Sequence, residues 1–321
     1  MRIVRNLKVP TGNICIGKGE RGLLEFLSLG DYGKDVNLNQ HKKVCHQPLL
    51  PLTEKWVVTV STQYGCSMGC QFCDVHKVGP GRNATLGDLM GQIEAALSLH
   101  PEITSTERLN VHFARMGEPT WNQNVIECAM RLWPWCDEFH VHPVVSTMMP
   151  CRNRNLRSFL VQWMQVKNLL FDGNAGLQLS INSTDENERL DIFRDNALSL
   201  ESISEIMGGL RPKGRKITLN FAVAQYQINP EVLLRWFDPD IYIVKLTPMH
   251  KTAIALKNGI EPPGDYTDFQ PYFHLEEALK AVGYEVLTFI ASEEEDLGRI
   301  TCGNAILSGT VPLVEFTEVA G

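Results

Sequence analysis

From Trp56 onward, apolar runs of strand length alternate with stretches whose apolar residues recur at helical spacing. WVVTVST (56–62) reads as a strand and TLGDLMGQIEAALSL (85–99) as an amphipathic helix. RLNVHFA (108–114) is followed by helical NQNVIECAMRLW (122–133), and FHVHPVVST (139–147) by RSFLVQWMQV (157–166). LQLSI (177–181) precedes ISEIMGGL (203–210), ITLNFAV (217–223) precedes EVLLRWF (231–237), and IYIVKLT (241–247) is the sixth strand. LEEALKAVG (275–283) and YEVLTFI (284–290) close the series. Six βα repeats of this kind predict a parallel sheet or a partial barrel. In such folds functional groups gather at the carboxyl ends of the strands, and the polar motifs fall at those ends.

Residues 1–50 carry a different pattern. Short apolar stretches broken by glycine, GNICIGKGERG and LLEFLSLGDYGK, predict a small β-hairpin element ahead of a main domain over 51–321. HKKVCHQPLLPL reads as an extended connector, because Pro48 and Pro51 discourage helix. The chain of 321 residues is long enough to bury a large core. It has no apolar run of the ~20 residues a membrane span needs, and MRIVRNLKVPTGN has no secretory h-region. A cytoplasmic enzyme without membrane contact is the expectation. The net charge of −7 lowers the expectation of a large RNA substrate, since phosphate contacts usually demand a basic balance. Nine cysteines without an export signal read as reduced thiols, some of them metal ligands.

Directly after the first strand of the repeat comes STQYGCSMGCQFCDVHKVG, which sets Cys66, Cys70 and Cys73 at C-x3-C-x2-C spacing. Three thiolates from one loop can hold one iron–sulfur cube and leave its fourth iron without a protein ligand. Electron-transfer clusters normally take protein thiolates at all four positions, so three suggest catalysis. Two other readings compete. The three cysteines could be small buried residues on one helical face, or His76 could complete a Cys3His set for structural zinc in a non-catalytic protein.

CSMGCQFC, with Phe72 before the third cysteine, resembles the signature of the radical S-adenosylmethionine (SAM) superfamily. The wider context resembles its RlmN/Cfr branch of RNA adenine methyltransferases. STQYGCSMGCQFC and GRNATLGDLMGQI (81–93) are similar to that family's segment from cluster loop to first helix, and RMGEPTWN (115–122) to its GEP motif. Ser146 in VVSTMMP, and Ser180-Ile181-Asn182, match its later serine and SLH segments. The resemblance implies a partial (βα)6 radical SAM barrel with a small N-terminal β extension. It implies a [4Fe–4S] cluster on Cys66, Cys70 and Cys73, with SAM held by Gly117, Glu118, Ser146, Ser180, Asn182 and His250. It also implies an electron donor such as flavodoxin or ferredoxin, and a nucleic acid or nucleoside substrate. Cys302, in EEEDLGRITCGNAILSG, matches the cysteine that accepts a methyl group in that family, and its glycine and polar lead-in suit a mobile loop. The acidic run Glu293 to Asp296 reads as a solvated loop.

The sequence departs from that pattern. Thr59 stands where the family has a resolving cysteine, His46 where it has an acidic residue, and His250, in TPMHK, where it has asparagine. Its N-terminal helical domain has no counterpart in the first fifty residues, and Cys45 is a candidate substitute thiol. Three functions remain open: methylation of an sp² carbon through Cys302, another radical modification of a nucleoside, DNA or small metabolite, and a zinc or nucleic-acid-binding protein. Arg152, Arg154 and Arg157 follow the third strand and could meet phosphates. Arg211, Lys213, Arg215 and Lys216 precede the fifth and read as a solvated turn. The tryptophans, among them Trp121, Trp133 and Trp135, read as packing residues.

Overall fold

The structure, a computed structural model, describes residues 1–32 and 48–319. Cys45 and His46 lie outside the described residues. Thirteen strands are described: β1 (Arg2–Val9), β2 (Gly12–Gly19), β3 (Gly22–Leu29), β4 (Trp56–Val60), β5 (Gln63–Tyr64), β6 (Arg82–Asn83), β7 (Leu109–Phe113), β8 (Val141–Thr147), β9 (Gly176–Ser180), β10 (Ile217–Val223), β11 (Tyr242–Pro248), β12 (Val286–Thr288) and β13 (Thr317–Val319). Eleven form one sheet in the order β12-β11-β10-β9-β8-β7-β4-β3-β2-β1-β13, and β5 pairs with β6 in a small ribbon.

From β4 to β12 all neighbours are parallel. The reason is visible in the alternation along each strand. Val111 and Phe113, Leu177 and Leu179, Leu219 and Phe221, and Val244 and Leu246 point one way and are buried in the main core. Helices Leu86–Leu97, Asn124–Leu132 and Leu156–Gln165 supply buried apolar partners to the same core. Residues of the opposite parity, Ser146, Gln178, Ser180, Asn220, Lys245 and Thr247, line a cavity on the other face. A parallel sheet with one polar, concave face is the partial barrel expected, now extended by a short seventh strand, β12.

The N-terminal residues differ from the expected hairpin. β1, β2 and β3 form an antiparallel meander that continues the main sheet, since β3 pairs antiparallel with β4 through Leu27↔Thr59 and Leu29↔Val57. Its apolar side, Leu7, Ile14, Ile16 and Leu27, builds a second core that also takes in Ile300 and Ile306 from the C-terminal segment. That segment returns as β13 beside β1.

Three further expectations are corrected. The acidic run is a helix, Glu293–Leu297, capped by Ser292 in a capping box with Glu295, and Asp296 is buried. Arg215 is exposed as a residue, but its Nη1 turns in over buried Gly176, and burial lowers its pKa. Lys213 and Lys216 stay outside in pairs with Asp172 and Glu285. Trp133 is largely exposed and does not serve the core. No helix among the described residues is long and apolar enough to cross a membrane.

Candidate functional site

The cavity, of about 260 Å³, opens on the carboxyl side of the parallel strands. Cys66, Cys70, Cys73, Gly117, Glu118, Ser146, Ser180, Asn182, His250 and Cys302 all line it. Ten residues from six segments thus meet at one chamber.

The cysteine loop leaves β4 through β5 and returns through β6. Gly65 has φ +80°, and a Cβ there would meet the Gly79 carbonyl oxygen at 2.1 Å, so only glycine lets the two ends of the loop close. The loop is fastened from outside as well. Gln71 N–H donates to Ile192 O at 2.9 Å and Asp74 N–H to Gly303 O at 2.8 Å. The buried Asp74 carboxylate accepts from the backbone N–H groups of Ala253 and Ile254 at 3.1 and 3.0 Å and from Lys77 Nζ at 2.7 Å. Asp74 therefore ties the cysteine loop to the segment after β11 that carries His250.

Burial pushes the Cys66 thiol up to about 11 and raises Cys70 and Cys73 further. The neighbouring cysteine sulfurs add to the rise at Cys70 and Cys73, which places the three sulfurs close enough to feel one another. Such a trio is unfavourable as bare thiolates and is relieved by a cationic centre. Among the described residues no three His, Cys, Asp or Glu side chains converge as a single metal ion requires. His76, the residue of the competing Cys3His reading, has its Nδ1 2.7 Å from Cys73 O.

Glu118 is set by the turn after β7. Gly117 has φ +93°, and a Cβ there would meet the Gln63 side chain at 2.5 Å. Gln63 Oε1 in turn accepts the Glu118 N–H at 3.1 Å. The carboxylate is buried and accepts from Thr120 N at 3.1 Å, Thr120 Oγ1 at 2.8 Å and Met148 N at 2.8 Å. Burial raises its pKa, and these donors work against the rise. The carboxylate is thus fixed in place, with the cavity before it, as a partner for a cation.

Asn182 has φ +62°, in the left-handed region that asparagine adopts more readily than most residues. Its Oδ1 accepts Ala222 N–H at 3.0 Å and its backbone N–H donates to Asn220 O at 3.3 Å, while its side-chain N–H groups donate to no described residue. His250 Nδ1 is buried without a hydrogen bond, 3.6 Å from Asp296 Oδ1. Burial holds its pKa below the ordinary value against the opposing pull of Asp296, so the ring is neutral near pH 7.

Cys302 is exposed and lines the cavity, and hydrogen bonds tether the residues around it. Arg115 Nη1 donates to Thr301 O at 3.3 Å and Nη2 to Arg299 O at 2.8 Å. Thr301 Oγ1 donates to Asp296 at 2.7 Å, and Asn304 Nδ2 to Thr301 Oγ1 at 2.8 Å. Arg115 is itself held by Glu25 of β3, with Nε 2.9 Å from Oε1 and Nη2 on the same oxygen. Glu25, Arg115, Asp74 and Asp296 escaped the sequence reading, although Arg115 stands inside the recognised RMGEPTWN segment. Thr59 sits within β4, and it is not among the residues lining the cavity. Arg152, Arg154 and Arg157 are exposed just beyond β8, and Arg157, on the helix Leu156–Gln165, donates to Ile206 O.

No protein-family model matches the chain. It is 24% identical over 266 residues to a dual-specificity RNA methyltransferase RlmN of Sorangium cellulosum, covering 79% of this chain and 62% of that one. It is 29% identical over 181 residues to a probable dual-specificity RNA methyltransferase RlmN of Deinococcus deserti, covering 54% and 49%. The chain thus matches between about half and three-fifths of the length of these relatives. A radical SAM methyltransferase from Sphaerobacter thermophilus has the same fold, with a TM-score of 0.65 over 94% of this chain and 80% of that one, at 19% identity.

Proposed function

We propose that this RlmN-like radical SAM protein is a methyltransferase that binds a [4Fe–4S] cluster and SAM in its cavity and modifies an sp² carbon of a nucleobase-like substrate. The observation that carries this reading is the meeting of the three loop cysteines, Glu118, Ser180, Asn182 and Cys302 around one chamber. Cys66, Cys70 and Cys73 would hold the cluster. Glu118 would receive the ammonium group of SAM, and Ser146, Ser180 and Asn182 would hydrogen-bond its carboxylate and ribose. When bound, the reduced cluster and SAM supply a 5′-deoxyadenosyl radical. The chain orients that chemistry and keeps water from it, with Met68, Phe72, Val75 and Met148 forming apolar wall. Cys302, as its thiolate, would accept on sulfur the methyl group of one SAM, which would leave as S-adenosylhomocysteine, while a second SAM would serve the radical chemistry. The neutral ring of His250 would donate or accept a hydrogen bond without adding charge. The RNA methyltransferase names of the relatives support a nucleic acid or nucleoside as the source of the base, and Arg152 and Arg154 would meet its phosphates.

A second reading keeps the scaffold and drops methyl transfer. It is favoured by Thr59, which offers no thiol to resolve a methyl-cysteine adduct and does not line the cavity.

Anaerobic reconstitution with iron and sulfide, reduction, and incubation with SAM separates these readings. The proposal expects a brown protein that releases 5′-deoxyadenosine and carries a methyl on the Cys302 peptide by mass spectrometry. Release of 5′-deoxyadenosine with Cys302 unmodified would select the second reading. A colourless, zinc-loaded product would refute both.

A further inference from the structure

Lys245 stands on the cavity face of β11, in an otherwise apolar strand. It makes no hydrogen bond or ion pair with any described residue; its ammonium lies over the Phe289 ring, 5.5 Å from the centroid. The register places it in one row with the cofactor face, since Ser180 pairs with Asn220 and Asn220 with Lys245. Two strand spacings separate Lys245 from Ser180, or about 10 Å. The side-chain amides of Asn220 and of Gln178 also line the cavity and make no hydrogen bond to a described residue.

The charges around this lysine do not balance it. Arg215 and Lys55 face it with like charge, and Arg108 stands beside Arg215. Of the acids, Asp31 faces Lys245 but is already paired with Lys55 at 2.9 Å. Glu118 and Glu295 line other parts of the wall. Burial lowers the lysine's pKa, opposed most by the Cys302 sulfur, which places that sulfur within electrostatic reach of the ammonium. An uncompensated amine in a chamber of this kind costs stability unless a ligand supplies the missing charge.

We propose that Lys245, with Asn220 and Gln178, forms an anion subsite beside Cys302, and that the substrate part entering the chamber carries a carboxylate or phosphate. The inference rests on the cavity being the substrate chamber and deepens that reading. It points to a nucleotide or heteroaromatic acid of metabolite size. A base flipped out of a polymer would bring a neutral ring to this depth and leave its phosphates at the mouth.

The test uses two reagents of nearly equal size, iodoacetate and iodoacetamide, on the anaerobically reconstituted full chain. The ratio of their alkylation rates at Cys302, read by mass spectrometry, is compared with the ratio at the same cysteine in urea. The subsite predicts that folding shifts the ratio about ten-fold toward the anion. Inorganic phosphate should suppress that shift, Lys245→Gln should abolish it and Lys245→Arg should keep it. A ratio unchanged by folding, or unchanged in Lys245→Gln, overturns the proposal. The cofactor's own carboxylate is the competing source of the anion. Lys245→Gln should bind S-adenosylhomocysteine as the parent does, and a ten-fold loss would assign the lysine to the cofactor and overturn the substrate inference. Neither readout needs methyl transfer, so failure of the proposed activity and failure of the subsite are separable.

Discussion

Glu25→Gln isolates the contact on which the C-terminal loop hangs. Glu25 lies on β3 and Arg115 at the end of β7, both buried, and one carboxylate oxygen takes both Nε and Nη2. The other oxygen accepts Leu307 N–H at 3.0 Å. Removing one partner of a buried pair typically costs ~3–5 kcal/mol, because the other charge remains where water does not reach it. Glutamine keeps an oxygen for one or two of the bonds, so the low end applies, about 3 kcal/mol. For a chain of this size each kcal/mol moves the melting temperature by about 2 °C, giving a fall of about 6 °C. The assay is thermal unfolding by circular dichroism of wild type, Glu25→Gln, Glu25→Leu, Arg115→Met and the Glu25→Leu/Arg115→Met double variant. The double variant should recover part of the loss, since an apolar pair of similar volume leaves no buried charge. Arg115→Met should also speed iodoacetamide labelling of Cys302, because the Arg299 and Thr301 carbonyls lose their donor. A fall of less than about 2 °C in Glu25→Gln, with strictly additive losses in the double variant, would refute the account of the pair as a buried, coupled unit.

Other outcomes follow from the same geometry. Cys70→Ser should leave the reconstituted protein nearly colourless with iron far below wild type, since a buried serine oxygen is a poor substitute for a thiolate; wild-type iron content would remove Cys70 from the cluster. Burial raises the Glu295 carboxyl to about 7. Between its ordinary value of 4.5 and about 7 the folded state holds the extra proton, so this group's contribution to stability falls as pH rises through that window. Glu295→Gln should therefore gain on wild type in urea unfolding by up to about 3 kcal/mol more at pH 8 than at pH 5, and an equal difference at both pH values would contradict the shift.

Periodicity carried most of the fold. ITLNFAV reads as a strand over 217–223 and is one over the same residues, because its alternate residues face a helical layer and a cavity. The pairing of β3 with β4 was not legible, since it joins stretches more than twenty-five residues apart and depends on the second core they build with Ile300 and Ile306. The Glu293–Leu297 helix was legible in principle. Ser292 with Glu295 three residues on is a capping-box spacing, and the density of acids hid it. The cavity-lining residues were found because motif order places them at strand ends. Lys245 was missed because it sits inside IYIVKLT, where a reading for apolar runs passes over a single charge.

The anchoring of Cys302 changes what must select the substrate. A thiol on a free loop could seek its partner outside the barrel, and selection would then fall to loop motion. Here Arg115 holds the carbonyls of residues 299 and 301, Asp296 receives Thr301, and Asp74 N–H holds Gly303 O, so the residues on both sides of the sulfur are fixed. Those tethers reach three separate parts of the chain: the meander through Glu25, the acidic helix through Asp296, and the cysteine loop through Asp74. These tethers hold the sulfur against the cysteine loop, and under the proposed function a substrate would come to it through the cavity. Selection would then rest on what the cavity admits, its size and the charge at Lys245, and the edge strands β1–β3 would serve it through the Glu25–Arg115 tether.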